Sequence, residues 1–176
     1  SEIAVIALGG IVCDKSVRIA GDDFTANIEE YMRRQHNILI GERTAERVKI
    51  EVGAAMTEIE NPPADFPVHG RDLMTGIPKE IYVSYVEVAH ALDKSISKIE
   101  EAILNALEMT PPELSADIYR TGIYLAGGGS LLRGLDKRIS MKTKLPVHIA
   151  EDPLRAVARG TGIALKNIHR FPFLIK

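Results

Sequence analysis

Apolar and polar positions change rhythm several times along the chain, and each change predicts an element. Residues 2–8, from Glu2 to Leu8, are a nearly continuous apolar run, the pattern of a strand covered on both faces. Gly9-Gly10 predicts a hairpin turn with positive φ, and Ile11 to Ala20 the returning strand, where Val17 and Ile19 alternate with Ser16 and Arg18. Gly21-Asp22-Asp23 ends that strand and offers an acidic N-cap, stabilising by about 1 kcal/mol. The helix that follows shows one face in Phe24, Ile28, Tyr31 and Met32. A second helix follows Gly41, with Thr44 as its cap, Ala45, Val48 and Val52 as its buried stripe and Gly53 as its terminator. Between Met56 and Val83, Pro62-Pro63, Pro67, Gly70, Gly76 and Pro78 cut the chain into short extended pieces, which predicts a small antiparallel sheet.

Ser84 and Glu87 have capping-box spacing, and Leu92, Ile96, Ile99, Ile103 and Leu107 recur every three or four residues behind them. That is a long helix packed along one side, stopped by Pro111-Pro112. The last third is α/β in character. Ile123 to Ala126 reads as a strand, Gly127-Gly128-Gly129 as a turn, and Leu131, Leu132, Leu135 and Ile139 as a helix face. Val147-His148-Ile149 is a short strand, and Asp152 caps a final helix with Pro153 in its first position. Ala156, Ala158, Gly160, Gly162 and Ala164 make that helix small-sided, suited to close backbone approach. The pattern shifts near Gly21 and again near Pro111-Pro112, so the outer segments predict one sheet-containing lobe with the middle inserted as a second. No apolar run approaches the ~20 residues of a membrane-spanning helix. A chain that opens on core-strand sequence, without a leader pattern, is expected to be a piece of something larger.

Composition narrows the function. At 176 residues the chain has room for one domain or two small lobes, burying roughly 70% of its unfolded surface. A hydrophobic fraction of 45% and a charged fraction of 26% exclude disorder. Lys and Arg number 22 against 24 Asp and Glu, so the cation excess of a duplex binder is missing and no nucleic-acid partner is expected. The single cysteine, Cys13, allows neither an internal disulfide nor a cysteine-rich zinc site, and points to a reducing compartment. His36, His69, His90, His148 and His169 have no metal-ligand spacing. Lys137, Arg138, Lys142 and Lys144 surround one helix but are too few for a phosphate-backbone stripe.

Two features carry candidate chemistry. The glycine turn of Gly127, Gly128 and Gly129 joins a strand to a helix, where ligands of α/β sheets gather and where a missing Cβ lets a flat or anionic ligand reach the backbone. It is neither a P-loop nor a dinucleotide fingerprint, since no Gly-Lys-Ser/Thr follows and Leu132 replaces the third glycine. A tight turn serving backbone geometry alone is the competing reading. Glu42, Glu46 and Lys49 share a helix face able to meet ligand hydroxyls, although the pattern alone favours a solvated face with intrahelical ion pairs.

The stretch Leu125-Ala126-Gly127-Gly128-Gly129-Ser130-Leu131-Leu132-Arg133-Gly134 resembles the adenosine-binding motif of the actin superfamily. Ile19 to Asp22, Gly41 to Lys49, Gly70 to Pro78, Thr110 to Leu114 and Ala150 to Leu154 resemble the MreB family of bacterial actins in particular. The likeness spans essentially the whole chain but only the C-terminal half of such a protein. It implies an α/β, actin-like ATPase domain: a ribonuclease H-like subdomain IIA from residues 1–22 and 111–176, and an inserted α+β subdomain IIB from residues 23–110. It implies ATP contacts at Glu46, Lys49, Gly127, Gly128, Gly129, Ser130, Leu131 and Leu132, with Mg²⁺ entering only in the full-length protein. No catalytic or metal-binding residue is expected in this chain, so it should not hydrolyse ATP alone.

For the whole protein the resemblance implies a rod shape-determining, filament-forming protein that organises cell-wall elongation. Its partners would be further copies of itself, a RodZ-like adaptor bound through subdomain IIA, and the elongation machinery. It would be cytoplasmic, with filaments at the membrane held there by the other half or by partners. Two alternatives stand beside this: another actin-fold ATPase of cell-division, plasmid-segregation or chaperone type, and a non-catalytic interaction module. The Glu2–Leu8 strand, if left as a sheet edge, is expected to promote dimers or aggregates.

Overall fold

The computed structural model describes residues 1–167 and His169. The end of the expected outer lobe, residues 168 and 170–176, lies outside the described residues. The elements run β1 (Glu2–Ala7), β2 (Gly10–Ser16), α1 (Gly21–His36), β3 (Ile38–Leu39), α2 (Glu42–Val52), β4 (Phe66–Asp72), β5 (Pro78–Val83) and α3 (Tyr85–Glu108). After a 3-10 turn at Pro112–Leu114 come α4 (Ser115–Thr121), β6 (Ile123–Leu125), a second 3-10 turn at Gly128–Leu131, α5 (Leu135–Thr143), β7 (Val147–Ile149) and α6 (Ala156–Lys166).

These strands form three small sheets: the antiparallel pair β1-β2, the antiparallel β3-β4-β5 and the parallel pair β6-β7. In β4-β5, Phe66 pairs with Val83 and Val68 with Ile81, so alternate apolar residues share the face that meets the helices. That face, α1, α2 and α3 supply most of a continuous core in which Ile28, Met32, Ile38, Val48, Val68, Val83, Leu92 and Ile96 are fully buried. Ile19, Leu132, Leu135 and Ile139 join the same core from the flanking segments.

Several local expectations are met. Ser84 caps α3, with its hydroxyl accepting from the Glu87 N–H while the Glu87 carboxylate accepts from the Ser84 N–H at 2.9 Å. Leu92, Ile96 and Ile103 are buried, with Ile99 and Leu107 packed beside them. Ala45, Val48 and Val52 are the buried stripe of α2, and Gly53 is its C-cap.

Others are corrected. The β1-β2 turn is Leu8-Gly9, with φ of +51° and +76°, because Gly10 is already paired with Ala7. Two successive positive φ values are what the tight hairpin demands, and here one falls on a leucine. Nor is β1 covered on both faces: its exposure alternates, Ile6 is 68% exposed and Leu8 fully so. The cap of α1 is Ala20, whose N–H donates to the Asp23 carboxylate at 2.8 Å, so the acids act from inside the first turn. Gly41, not Thr44, caps α2, and the Thr44 N–H bonds back to its carbonyl at 2.9 Å. Gly134, at φ +75°, splits the helix expected after the glycine turn, leaving Leu131 and Leu132 ahead of α5. Asp152 stands at φ +47° in a turn, and α6 begins only at Ala156 behind Arg155. None of the α6 residues is buried.

Candidate functional site

Helix α2 buries Ala45, Val48 and Val52, which turns Glu46 and Lys49 onto its flank toward the start of α1. The Lys49 ammonium donates to the Gly21 carbonyl at 2.9 Å and the Thr25 hydroxyl at 3.0 Å, and pairs with Glu46 Oε2 at 2.6 Å. The Thr25 hydroxyl lies 2.7 Å from the same Glu46 oxygen. Hydrogen bonds from Lys49 and then Thr25 hold the Glu46 carboxyl below its ordinary range, outweighing partial burial. The result is a fixed carboxylate, 45% exposed, anchored by a lysine that is itself 15% exposed.

The glycine turn is braced differently. Gly127, at φ +82°, donates its N–H to the Pro153 carbonyl at 2.8 Å, and the Ser130 hydroxyl donates to the Gly127 carbonyl at 2.7 Å. A Cβ built on Gly127 or Gly129 would meet nothing within 4 Å, whereas one on Gly128 would approach Leu154 at 3.2 Å. The turn therefore presents bare backbone to open space. Leu131 is 53% exposed, while Leu132 is buried in the core against Gly53, where an added Cβ would stand 2.9 Å from its Cδ1. An Ala54–Arg133 bridge and the Ala55 N–H to Arg133 carbonyl bond of 2.8 Å tie the end of α2 to the exit of the turn.

A hollow of about 1070 Å³ joins these parts. It is lined by β1, by β6 with Gly127, Gly128, Gly129 and Ser130, and by Gly21 and Phe24. Gly21 is the residue whose carbonyl Lys49 grips, so the Glu46–Lys49 pair borders this space through it without lining it. Of the eight residues expected at a nucleotide site, four line the hollow, two stand beside it, Leu131 is on the surface and Leu132 is inside the core.

The sequence alone assigns no contact to Gly21 and no role to Thr25, which is 4% exposed. A polar residue between Phe24 and Ile28 on an apolar helix face was the one available signal. The sequence offers Arg138 only as one of four basic residues around a helix. Instead the Arg138 guanidinium is largely buried, donating to Glu100 at 2.8 Å, Ser97 at 3.0 Å and the Ala55 carbonyl at 2.9 Å, with Asp93 at 2.8 Å. Burial opposes its charge, but Glu100 and Asp93 outweigh that and raise its pKa. Cys13 rests 3.4 Å from the Ala106 carbonyl and 3.5 Å from the Thr110 hydroxyl, a packed thiol. Among the described residues no trio of His, Cys, Asp or Glu is placed to hold a metal, and no helix is long and apolar enough to cross a membrane.

Comparison with known proteins gives this geometry a setting. The family model described as MreB/Mbl protein matches residues 1–172. The cell shape-determining protein Mbl of Bacillus cereus is 44% identical over 172 residues, covering 98% of this chain and 51% of its own. The cell shape-determining protein MreB of Escherichia coli is 46% identical over 168 residues, covering 96% and 48%. The crystal structure of Spiroplasma citri MreB5 bound to ADP superposes with a TM-score of 0.90 at 40% identity, over 95% of this chain and 50% of that one. The chain thus spans about half the length of the curated relatives it matches. Its fold class is the actin-like α/β fold expected, and the chain belongs to the MreB/Mbl protein family.

Proposed function

We propose that this chain is the adenosine-holding side of an ATP cleft in a filament-forming, cell shape-determining protein, and that alone it binds nucleotide weakly and does not hydrolyse it. One observation carries the reading: a fixed, exposed carboxylate and a side-chain-free glycine turn border the same hollow. Glu46 accepts hydrogen bonds from ribose hydroxyls, since an ionised carboxylate is acceptor-only. Gly127 and Gly129 let the nucleoside lie against backbone, Ser130 braces the turn, and Leu131 offers apolar surface to the base. The MreB5 structures with ADP and with AMPPNP support a nucleotide as the occupant.

Phosphoryl transfer depends on cradled phosphates, Mg²⁺ and an oriented water. On this proposal the described residues supply the nucleoside contacts, and those three come from the rest of the protein. In this reading residues 1–22 and 111–176 form subdomain IIA and residues 23–110 subdomain IIB. Self-association into filaments, a RodZ-like adaptor on IIA, and placement of the elongation machinery at the membrane belong to the whole protein.

Calorimetric titration of the 176-residue chain with adenosine, ADP and ATP, with and without Mg²⁺, tests this. Similar weak affinities for all three, insensitive to Mg²⁺ and without turnover, are the expected result. Tight Mg²⁺-dependent ATP binding, or steady-state release of phosphate, refutes the division of labour. No binding of any of them points to an interaction module.

A further inference from the structure

Glu46 and Lys49 do not hold each other in place unaided. Thr25, buried four residues into α1, sits between them. A lysine ammonium has three protons, and here each has an acceptor: the Gly21 carbonyl, the Thr25 hydroxyl and Glu46 Oε2. Lys49 therefore has no proton left over for a ligand in this arrangement. The Thr25 hydroxyl has one proton and two acceptors in reach, the Gly21 carbonyl at 3.0 Å and Glu46 Oε2 at 2.7 Å. The shorter bond, to the charged partner, is the stronger. Glu46 Oε2 is thus engaged twice within the chain, while Oε1 takes no hydrogen bond among the described residues.

We propose that Thr25 is a positioning residue: together with Lys49 it holds Glu46 Oε2, and so leaves Oε1 alone to accept from the ribose hydroxyls of a bound nucleotide. The proposal rests on the nucleotide reading above and adds a specificity element to it. Lys49 becomes an anchor rather than a phosphate ligand, and discrimination of ribose from deoxyribose becomes a property of the Thr25–Lys49–Glu46 triangle. A valine at position 25 keeps the shape and removes the hydroxyl bond to Glu46 Oε2; a serine keeps that bond.

The test compares the chain with Thr25→Val and Thr25→Ser, measuring equilibrium binding of ATP and of its 2′-deoxy and 3′-deoxy analogues. The original chain should prefer the ribonucleotide, Thr25→Val should lose roughly fivefold of that preference, and Thr25→Ser should restore it. A carbon-detected NMR titration of the Glu46 carboxyl gives a readout that needs no ligand. Its midpoint should rise toward the ordinary glutamate value in Thr25→Val and stay low in Thr25→Ser. Unchanged preference and an unmoved midpoint in Thr25→Val overturn the positioning role while leaving nucleotide binding intact. Failure of the original chain to bind any adenine nucleotide overturns both. Should Thr25→Val fail to fold, the Thr25 hydroxyl proton of the original chain decides: its resonance should respond to Glu46→Gln, and indifference to that change overturns the proposal.

Discussion

The two ends of the chain and its middle are similarly rich in apolar residues, yet they use them differently. In the middle, α1, α2, α3 and the β3-β4-β5 sheet close on one another until Ile28, Met32, Ile38, Val68, Val83, Leu92 and Ile96 have no exposure at all. In the outer segments, Ile6, Leu8 and Ile11 of the β1-β2 hairpin stand out of any core, and Val157 and Leu165 of α6 are 73% and 69% exposed. The difference is one of neighbours. All three sheets touch helices, but β1-β2 and β6-β7 are separate two-stranded pairs, and β1 and β6 both line the large hollow. A strand's hydrophobicity is realised as stability only where another layer covers it. The candidate site residues lie along the boundary: Glu46 and Lys49 are mounted on the closed region, and the glycine turn on the open one.

If that contrast is right, deleting a side chain in the closed region should cost far more than in the open one. Leu92→Ala is expected to destabilise by about 4 kcal/mol and Ile163→Ala on α6 by under about 1 kcal/mol, as read by urea unfolding. Comparable losses at both sites would erase the distinction. The seam comes next. Arg138→Met strands the nearly buried Glu100 carboxylate and should cost about 3 kcal/mol, whereas the double change with Glu100→Met should recover most of it. A double variant as unstable as the single one would show that packing, not charge, joins α5 to α3.

A smaller effect sharpens the picture within the closed region. Burial favours the neutral form of Glu87, but bonds from the Ser84 N–H and hydroxyl, and then His36, outweigh it and hold the carboxyl below its ordinary value of 4.5. A group with a depressed folded pKa stabilises above its unfolded value and loses that contribution as pH falls through the folded one. Ser84→Ala should therefore cost about 1 kcal/mol at pH 7, with the difference shrinking below the ordinary carboxylate range. A loss that persists unchanged into acid would contradict a contribution from the Ser84 hydroxyl to the Glu87 carboxylate and leave only the bond it accepts from the Glu87 N–H. The smallest change in stability belongs to the open region. Ile6→Lys should alter folding by under about 0.5 kcal/mol yet weaken concentration-dependent association in light scattering. A chain that remains monomeric at high concentration without the substitution argues against β1 as a self-association edge.

What was legible in the sequence follows the same division. The α3 capping box and the Leu92–Ile96–Ile103 stripe are local patterns, enforced within one or two helical turns, and the structure keeps them. The covering of β1 was misjudged because an apolar run says what a strand prefers, not what stands beside it. Leu8 in the hairpin turn went unread because a positive φ is unusual for leucine, and Gly10 next door offered a more ordinary solution. The glycine turn was legible as a turn with candidate chemistry, since its three glycines are contiguous. Thr25 was not, because its partner Glu46 is 21 residues away and only packing α1 against α2 brings them together. Arg138 was invisible as a buried charge for the same reason, its carboxylate lying 38 residues upstream.

Whether the hollow beside the glycine turn receives an adenine nucleotide, as proposed, is decided at one position. Gly129 is the position at which to test it, because its added Cβ meets nothing within 4 Å and its φ is not in the left-handed region, so a large residue there occupies the hollow without straining the turn. Equilibrium binding of a fluorescent adenine nucleotide should be measurable with the chain and lost in Gly129→Trp at unchanged thermal stability. Equal binding by the two proteins would contradict the account.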